Sequence, residues 1–404
     1  MIHACRWLLS IDRPPVEGGW VETSHGLIRR VGQGRPPEPA IDLGDVALLP
    51  GLVNAHTHLE LSWLAGRVPP ADTFDQWVRA LLTARRATSA PDVSAQRASV
   101  RSAIEAASDT GTVLFADISN TLVSPELMAA AGVGGVILHE LIGFNVQDAS
   151  GAVAEARARL DRVMAGVRQQ AGGASRLRAG IVAHAPYSVA PALFQHIALA
   201  RGEAPLAVHV AEPQEEAEFL RTGRGPLRGL LDDLEAWDDT WQPPGTGAVD
   251  YLWSLGYLQP GTLAVHAVHV SDRDLDRLRQ AEAVVVTCPR SNLWVGAGMP
   301  RLSHFYAAGV PVAIGTDSLA SVVSLNLFDE LAEMRRIAPD VTAASLLESA
   351  TRVGAEALGF GGSHGTITPG KVAALVVVDV PPDVGDVEEY LVGGVSPSHI
   401  RRLQ

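Results

Sequence analysis

A chain of 404 residues that is 47% hydrophobic is long enough for one large core and a smaller one. Its net charge of -13 excludes a general affinity for nucleic acid or for an anionic membrane surface, since phosphates would be repelled. No apolar run reaches the roughly 18 residues that a membrane helix needs, and the opening "MIHACRWLLSIDRPP" has too short an apolar centre for a secretory signal, so a cytoplasmic protein is expected.

In chain order, residues 1–47 read as short alternating segments, "ACRWLLSI" and "WVETSHGLIRRVG", parted by Pro and Gly, which suggests strands and tight turns. From residue 48 the texture changes. Eight apolar runs follow, at 47–55, 112–119, 134–140, 179–186, 205–210, 261–268, 283–288 and 310–317. Stretches of helical period lie between them, such as "SGAVAEARARLDRVMAGVRQQ", "SDRDLDRLRQ" and "LNLFDELAEMRRI". Eight strands alternating with helices predict an α/β fold, a parallel (β/α)8 TIM barrel over 48–362. An open doubly wound sheet is the alternative. The barrel is favoured because polar residues stand at strand ends throughout the set, not at one switch point. The stretch "DDTWQPPGTGAVD" (238–250) reads as a surface excursion near the barrel mouth. Past residue 360 the β-type pattern returns, and residues 1–47 with 363–404 are expected to form a small flanking β-sandwich domain. Its C-terminal half is expected to be reduced, for "LVGGVSPSHIRRLQ" contains no clear closing strand.

The chemistry-bearing residues gather at the ends of these runs. In "LLPGLVNAHTHLELS" (48–62), His56 and His58 are two apart, and side chains at i and i+2 of a strand share a face. His184 ends the fourth run, His209 and Glu212 the fifth, His266 the sixth and Asp317 the eighth. Each alone has a plain structural explanation: a core histidine, a helix cap, a turn. Together, at strand ends that converge on one cavity, they read as a metal centre. His56, His58, His209 and Asp317 suit one divalent ion, Zn2+ or alternatively Fe2+, with a position left open for water. A metal lowers the pKa of that water and makes it a nucleophile. Glu212, just past its strand, suits a proton shuttle; His266 could orient the nucleophile, and Asp317 could accept its proton.

Two scarcities sharpen this reading. The chain's single lysine, Lys371, lies outside the barrel, so no barrel lysine can be carboxylated to bridge two metals, and a mononuclear site is favoured. The two cysteines, Cys5 and Cys288, have neither metal-binding nor redox spacing and are expected to be small buried residues.

The ordered motifs "PGLVNAHTHLELS", "HAPYS", "HVAEPQEE", "VHAVHVS" and "AIGTDSLAS" resemble the amidohydrolase superfamily, in its branch of cytosine, guanine and adenosine-type deaminases and chlorohydrolases. The resemblance spans nearly the whole chain. It implies the same barrel and flanking β-sandwich, metal ligands at His56, His58, His209 and Asp317, acid/base and water-orienting roles for Glu212 and His266, and a substrate contact at His184. Within the branch, "HLELSWLAG", "TFDQWVRALLTAR" and "CPRSN" look closest to enzymes that deaminate 6-aminodeoxyfutalosine in menaquinone biosynthesis, by hydroxide attack on C6 of the adenine ring. That substrate carries a benzoate, and Arg290 in "CPRSN" is expected to bind its carboxylate. Glu140, Glu60 and Trp77 are expected ribose or ring contacts. The partner implied is a small purine nucleoside, with neither nucleic acid nor membrane and with homodimerisation open. Deamination of S-adenosylhomocysteine, methylthioadenosine or guanine, or triazine dechlorination, would use the same machinery; a non-catalytic scaffold is the remote alternative.

Overall fold

The computed structural model describes residues 1–87, 93–170 and 176–403. Two four-stranded parallel sheets form its centre. The first runs Leu52–Thr57, Thr112–Ser119, Gly134–Leu141 and Leu177–Ala183; the second runs Ala207–Val210, Leu263–His266, Val284–Thr287 and Val312–Ile314. They join at both seams. His209 N–H donates to the His184 carbonyl at 2.8 Å on one side. On the other, Thr316 and Asp317 N–H both donate to the His56 carbonyl, at 3.0 and 3.1 Å. Eight parallel strands thus close into a TIM-barrel-type α/β fold, as the repeated apolar runs predicted. The strands are buried along nearly their whole length, which is why they read as continuous apolar runs and do not alternate.

Closure at the second seam depends on Gly315. A Cβ there would lie 2.7 Å from the Cβ of His56 and 2.9 Å from the sulfur of Cys288, so only glycine lets the eighth strand approach the first. Both cysteines are buried and neither forms a disulfide, as expected.

The chain ends meet in a separate sheet of seven strands. Its order is Ile400–Arg402, Leu375–Asp379, Val46–Pro50, Ile2–Leu8, Val16–Ser24 and Leu27–Gln33, with Ile41–Asp42 also paired to Ile2–Leu8. Two sequence expectations change here. The run 47–55, read as one strand, is two strands parted at Gly51: Val46–Pro50 pairs with Leu375–Asp379 in this sheet, while Leu52–Thr57 opens the barrel. A closing C-terminal strand also exists, since Ile400–Arg402 pairs antiparallel with Leu375–Asp379. At three residues, two of them arginine, it carries almost no β signal of its own. The excursion 238–250 is anchored by Trp241, which is buried and stacks on Phe219 with ring centroids 5.0 Å apart.

No helix among the described residues is long and apolar enough to cross a membrane.

Candidate active site

The strand ends converge as the barrel requires. Ligand atoms of His56, His58 and His209 all lie within 4.8 Å of one another. Asp317 Oδ1 is 3.6 Å from His58 Nε2 and 3.8 Å from His56 Nε2. Burial is the main reason that all three imidazoles are pushed below their ordinary pKa, which keeps them neutral with lone pairs available. Burial alone would raise Asp317, but His58 and His56 beside it prevail and hold its carboxyl below the usual range.

Whether this set suits a metal can be judged at His56. It is fully buried, and neither ring nitrogen has a hydrogen-bond partner. A buried polar atom left without a partner costs on the order of 1–3 kcal/mol, so the arrangement is favourable only if a ligand completes it. At His209, Nδ1 donates to the His184 carbonyl at 2.9 Å, which leaves Nε2 as the lone-pair nitrogen. Three neutral imidazoles and one carboxylate fit a divalent ion of the zinc or iron type.

Beside the cluster stand the acid/base candidates. Glu212 Oε1 is 3.6 Å from His266 Nε2. Burial first, then the neighbouring charges of Asp317 and Glu216, push the Glu212 carboxyl well above its usual pKa, which favours its acid form. A cation bound next to it would draw that pKa back down, which leaves the proton affinity set by two opposing terms. Ala211, His266, Ala267 and Asp317 have φ of 50°, 69°, 50° and 60°, all left-handed. The strands turn sharply where they carry functional side chains, a strain that the surrounding barrel sustains.

The polar cluster opens into a cavity of about 420 Å³, within the size range of small-molecule sites. His184, Glu140 and Trp77, three of the expected substrate contacts, line it. His184 Nδ1 contacts Ser188 Oγ at 2.5 Å, and burial pushes its ring down to about 3. Glu140 accepts from Asn120 Nδ2 at 3.1 Å and is pushed up to about 8 by burial. The indole nitrogen of Trp77 is buried without a partner.

Two expected substrate contacts are not in the cavity. Glu60 turns inward and accepts from Ser119 Oγ at 3.1 Å and from Thr121 N and Oγ1 at 2.8 and 2.6 Å, so it anchors the loop after the second barrel strand. Arg290 points away from the mouth, with Nη1 3.6 Å from the buried Glu330 and 3.5 Å from Asp329. Its neighbours in "CPRSN" face the site. Ser291 Oγ donates to Asp317 Oδ2 at 2.6 Å, and Asn292 Oδ1 meets His266 Nδ1 at 2.8 Å. Sequence reasoning passed over both, although polar residues directly after an apolar run were the available signal.

Residues 47–399 match the amidohydrolase family. The chain belongs to the amidohydrolase family. It is 32% identical over 347 residues to an aminodeoxyfutalosine deaminase of Deinococcus radiodurans, covering 80% of this chain and 76% of the relative. It is 30% identical over 395 residues to a 5-methylthioadenosine/S-adenosylhomocysteine deaminase of Nitratidesulfovibrio vulgaris, covering 93% and 83%. Among solved structures, the aminofutalosine deaminase of Helicobacter pylori in complex with methylthio-coformycin superposes with a TM-score of 0.85 at 24% identity, covering 100% of this chain and 97% of that one. With that family and deaminase relatives at 30% and 32% identity, the chain is an aminohydrolase.

Proposed function

We propose that this aminohydrolase deaminates 6-aminodeoxyfutalosine to futalosine and ammonia, with His56, His58, His209 and Asp317 holding one divalent ion. The observation that carries the hydrolytic part is the buried His56 ring with two unpartnered nitrogens, in a cluster where the buried Glu212 carboxyl stands 3.6 Å from His266. Support for the substrate comes from the Deinococcus relative and from a cavity whose polar inner end leads into an apolar arm.

When bound, the ion supplies Lewis acidity that makes water nucleophilic near neutral pH. The side chains do the rest. His266 orients the water toward C6 of the adenine ring, and Glu212 gives its proton to the adjacent ring nitrogen as the oxygen adds. One proton of the water passes to Asp317 and then to the exocyclic amine; as the C–N bond breaks, the other leaves the added oxygen for Glu212 and restores its acid form. Ammonia leaves, and the ring becomes a 6-oxopurine. His184 and Glu140 contact the nucleoside, and Trp77 packs against it.

A second reading, deamination of methylthioadenosine or S-adenosylhomocysteine, rests on relatives such as that of Nitratidesulfovibrio. Ammonia release measured with aminodeoxyfutalosine, S-adenosylhomocysteine, methylthioadenosine, adenosine and guanine separates the two. A kcat/KM above about 10^4 per molar per second for the first alone is the expected result. Preference for another purine would leave the chemistry and replace the substrate.

A further inference from the structure

Besides the acid/base groups at the strand ends, the cavity has an apolar arm to which two helices contribute. Helix Phe74–Ala87 turns Trp77, Val78, Leu81, Leu82 and Arg85 toward it. Those positions follow helical spacing and form one stripe, with Trp77 and Arg85 about 12 Å apart along the axis at 1.5 Å per residue. Leu230 and Leu231 of helix Pro226–Asp233, followed by Leu234, line the same arm. Arg79, on the same helix, pairs with Asp233 and so ties the two helices together.

Arg85 is different. It is exposed, it lines the cavity, and among the described residues no carboxylate pairs with it. It is also the one lysine or arginine among the described lining residues, whereas the lining acids, Glu140, Glu212 and Asp317, stand at strand ends of the barrel. The arm is therefore apolar along its length and cationic at its outer end.

Resting on the deaminase reading above, we infer that Arg85 is a specificity-determining residue that pairs with a carboxylate at the far end of an apolar, aromatic substituent on the nucleoside. A guanidinium matches a carboxylate through two parallel N–H donors, and the leucines beside it exclude water from an aryl ring. A methylthio group would leave the guanidinium without a counter-ion. An amino-acid tail would bring an ammonium into an arm where none of those leucines can accept from it. The aryl carboxylate of aminodeoxyfutalosine meets both requirements, a duty that the sequence had assigned to Arg290.

The test compares aminodeoxyfutalosine with its methyl ester in the metal-loaded wild type and in Arg85→Met, Arg85→Lys and Arg85→Glu, and measures binding of both compounds by calorimetry. The wild type should prefer the acid by about 10- to 100-fold, mainly through KM, as befits a charge-assisted hydrogen bond. In Arg85→Met the preference should collapse toward unity, in Arg85→Lys it should partly return, and in Arg85→Glu it should invert. Turnover of the acid with the same acid-to-ester ratio in wild type and Arg85→Met would overturn the Arg85 assignment and leave the deaminase reading intact. A wild type that releases no ammonia from any adenine nucleoside would overturn that reading instead. The binding ratio then still judges Arg85, since equal affinity for acid and ester in the wild type refutes it.

Discussion

The amide oxygen of Asn292 lies 2.8 Å from Nδ1 of His266, and both residues are fully buried in the barrel. Since an amide oxygen only accepts, Nδ1 must carry the hydrogen, and Nε2 turns its lone pair toward Glu212. Asn292 is thus a positioning residue that fixes one tautomer. Asn292→Ala should lower kcat by about 10- to 100-fold with a smaller change in KM, and should alter the pH profile of kcat, because the ring is then free to take either tautomer. An unchanged profile would mean that the contact serves packing alone.

Burial raises the proton affinity of the Glu212 carboxyl, and that matters only if its proton moves. Glu212→Gln keeps the shape and the hydrogen-bonding capacity but removes the acid. We expect kcat to fall by about 10²- to 10⁴-fold while metal content, measured by elemental analysis, stays at the wild-type level. Turnover close to wild type in the metal-loaded variant would take Glu212 out of the mechanism.

The unpartnered nitrogens of His56 lead to a thermodynamic prediction as well as a kinetic one. A ligand that binds only the folded state raises stability by about 2.7 kcal/mol at 100 times its Kd. Chelation should abolish activity and lower Tm, and zinc or iron added back should restore both. In His56→Ala the metal-dependent rise in Tm should shrink or vanish; a rise of wild-type size would place the ion elsewhere.

Much of this was legible in the sequence, and for physical reasons. Parallel barrel strands are buried on both faces, so each leaves a continuous apolar run, and every histidine and acid of the proposed centre sits at the end of such a run. What was not legible depends on rotation within one turn. In "CPRSN" three consecutive polar residues follow the seventh barrel strand, and the helix Pro289–Trp294 that begins there turns Ser291 and Asn292 inward and Arg290 outward. Glu60 misled for a similar reason, because the loop partners that claim it, Ser119 and Thr121, are about sixty residues away. The strand Ile400–Arg402 exists because an edge of the sheet was open to it, not because its own residues favour β structure.

Arg290 therefore carries a prediction opposite to the one its sequence context suggested. Arg290→Met should leave kcat/KM within about two-fold of wild type, because the guanidinium faces Glu330 and Asp329 and not the cavity. Stability should fall by about 1–3 kcal/mol in urea unfolding, since buried Glu330 loses a partner. A large rise in KM would restore the sequence expectation.

Glu216 offers a prediction about pH. Its carboxyl is buried, accepts from the N–H of Ala211 in the left-handed turn ahead of Glu212, and leaves its other oxygen, Oε1, without a partner. Burial pushes its pKa from 4.5 up to about 8. Between these values the folded protein keeps a proton that the unfolded chain has released. The contribution is therefore fully present below about pH 4.5 and is lost as pH rises through 8, with a slope near 1.4 kcal/mol per pH unit for one group. Glutamine imitates the protonated carboxyl and cannot ionise. The stability of Glu216→Gln relative to wild type, from urea unfolding at pH 5, 6, 7 and 8, should rise with pH. Parallel curves for the two proteins would mean that Glu216 ionises freely in the fold, and its hold on the Ala211 turn would then be that of a carboxylate.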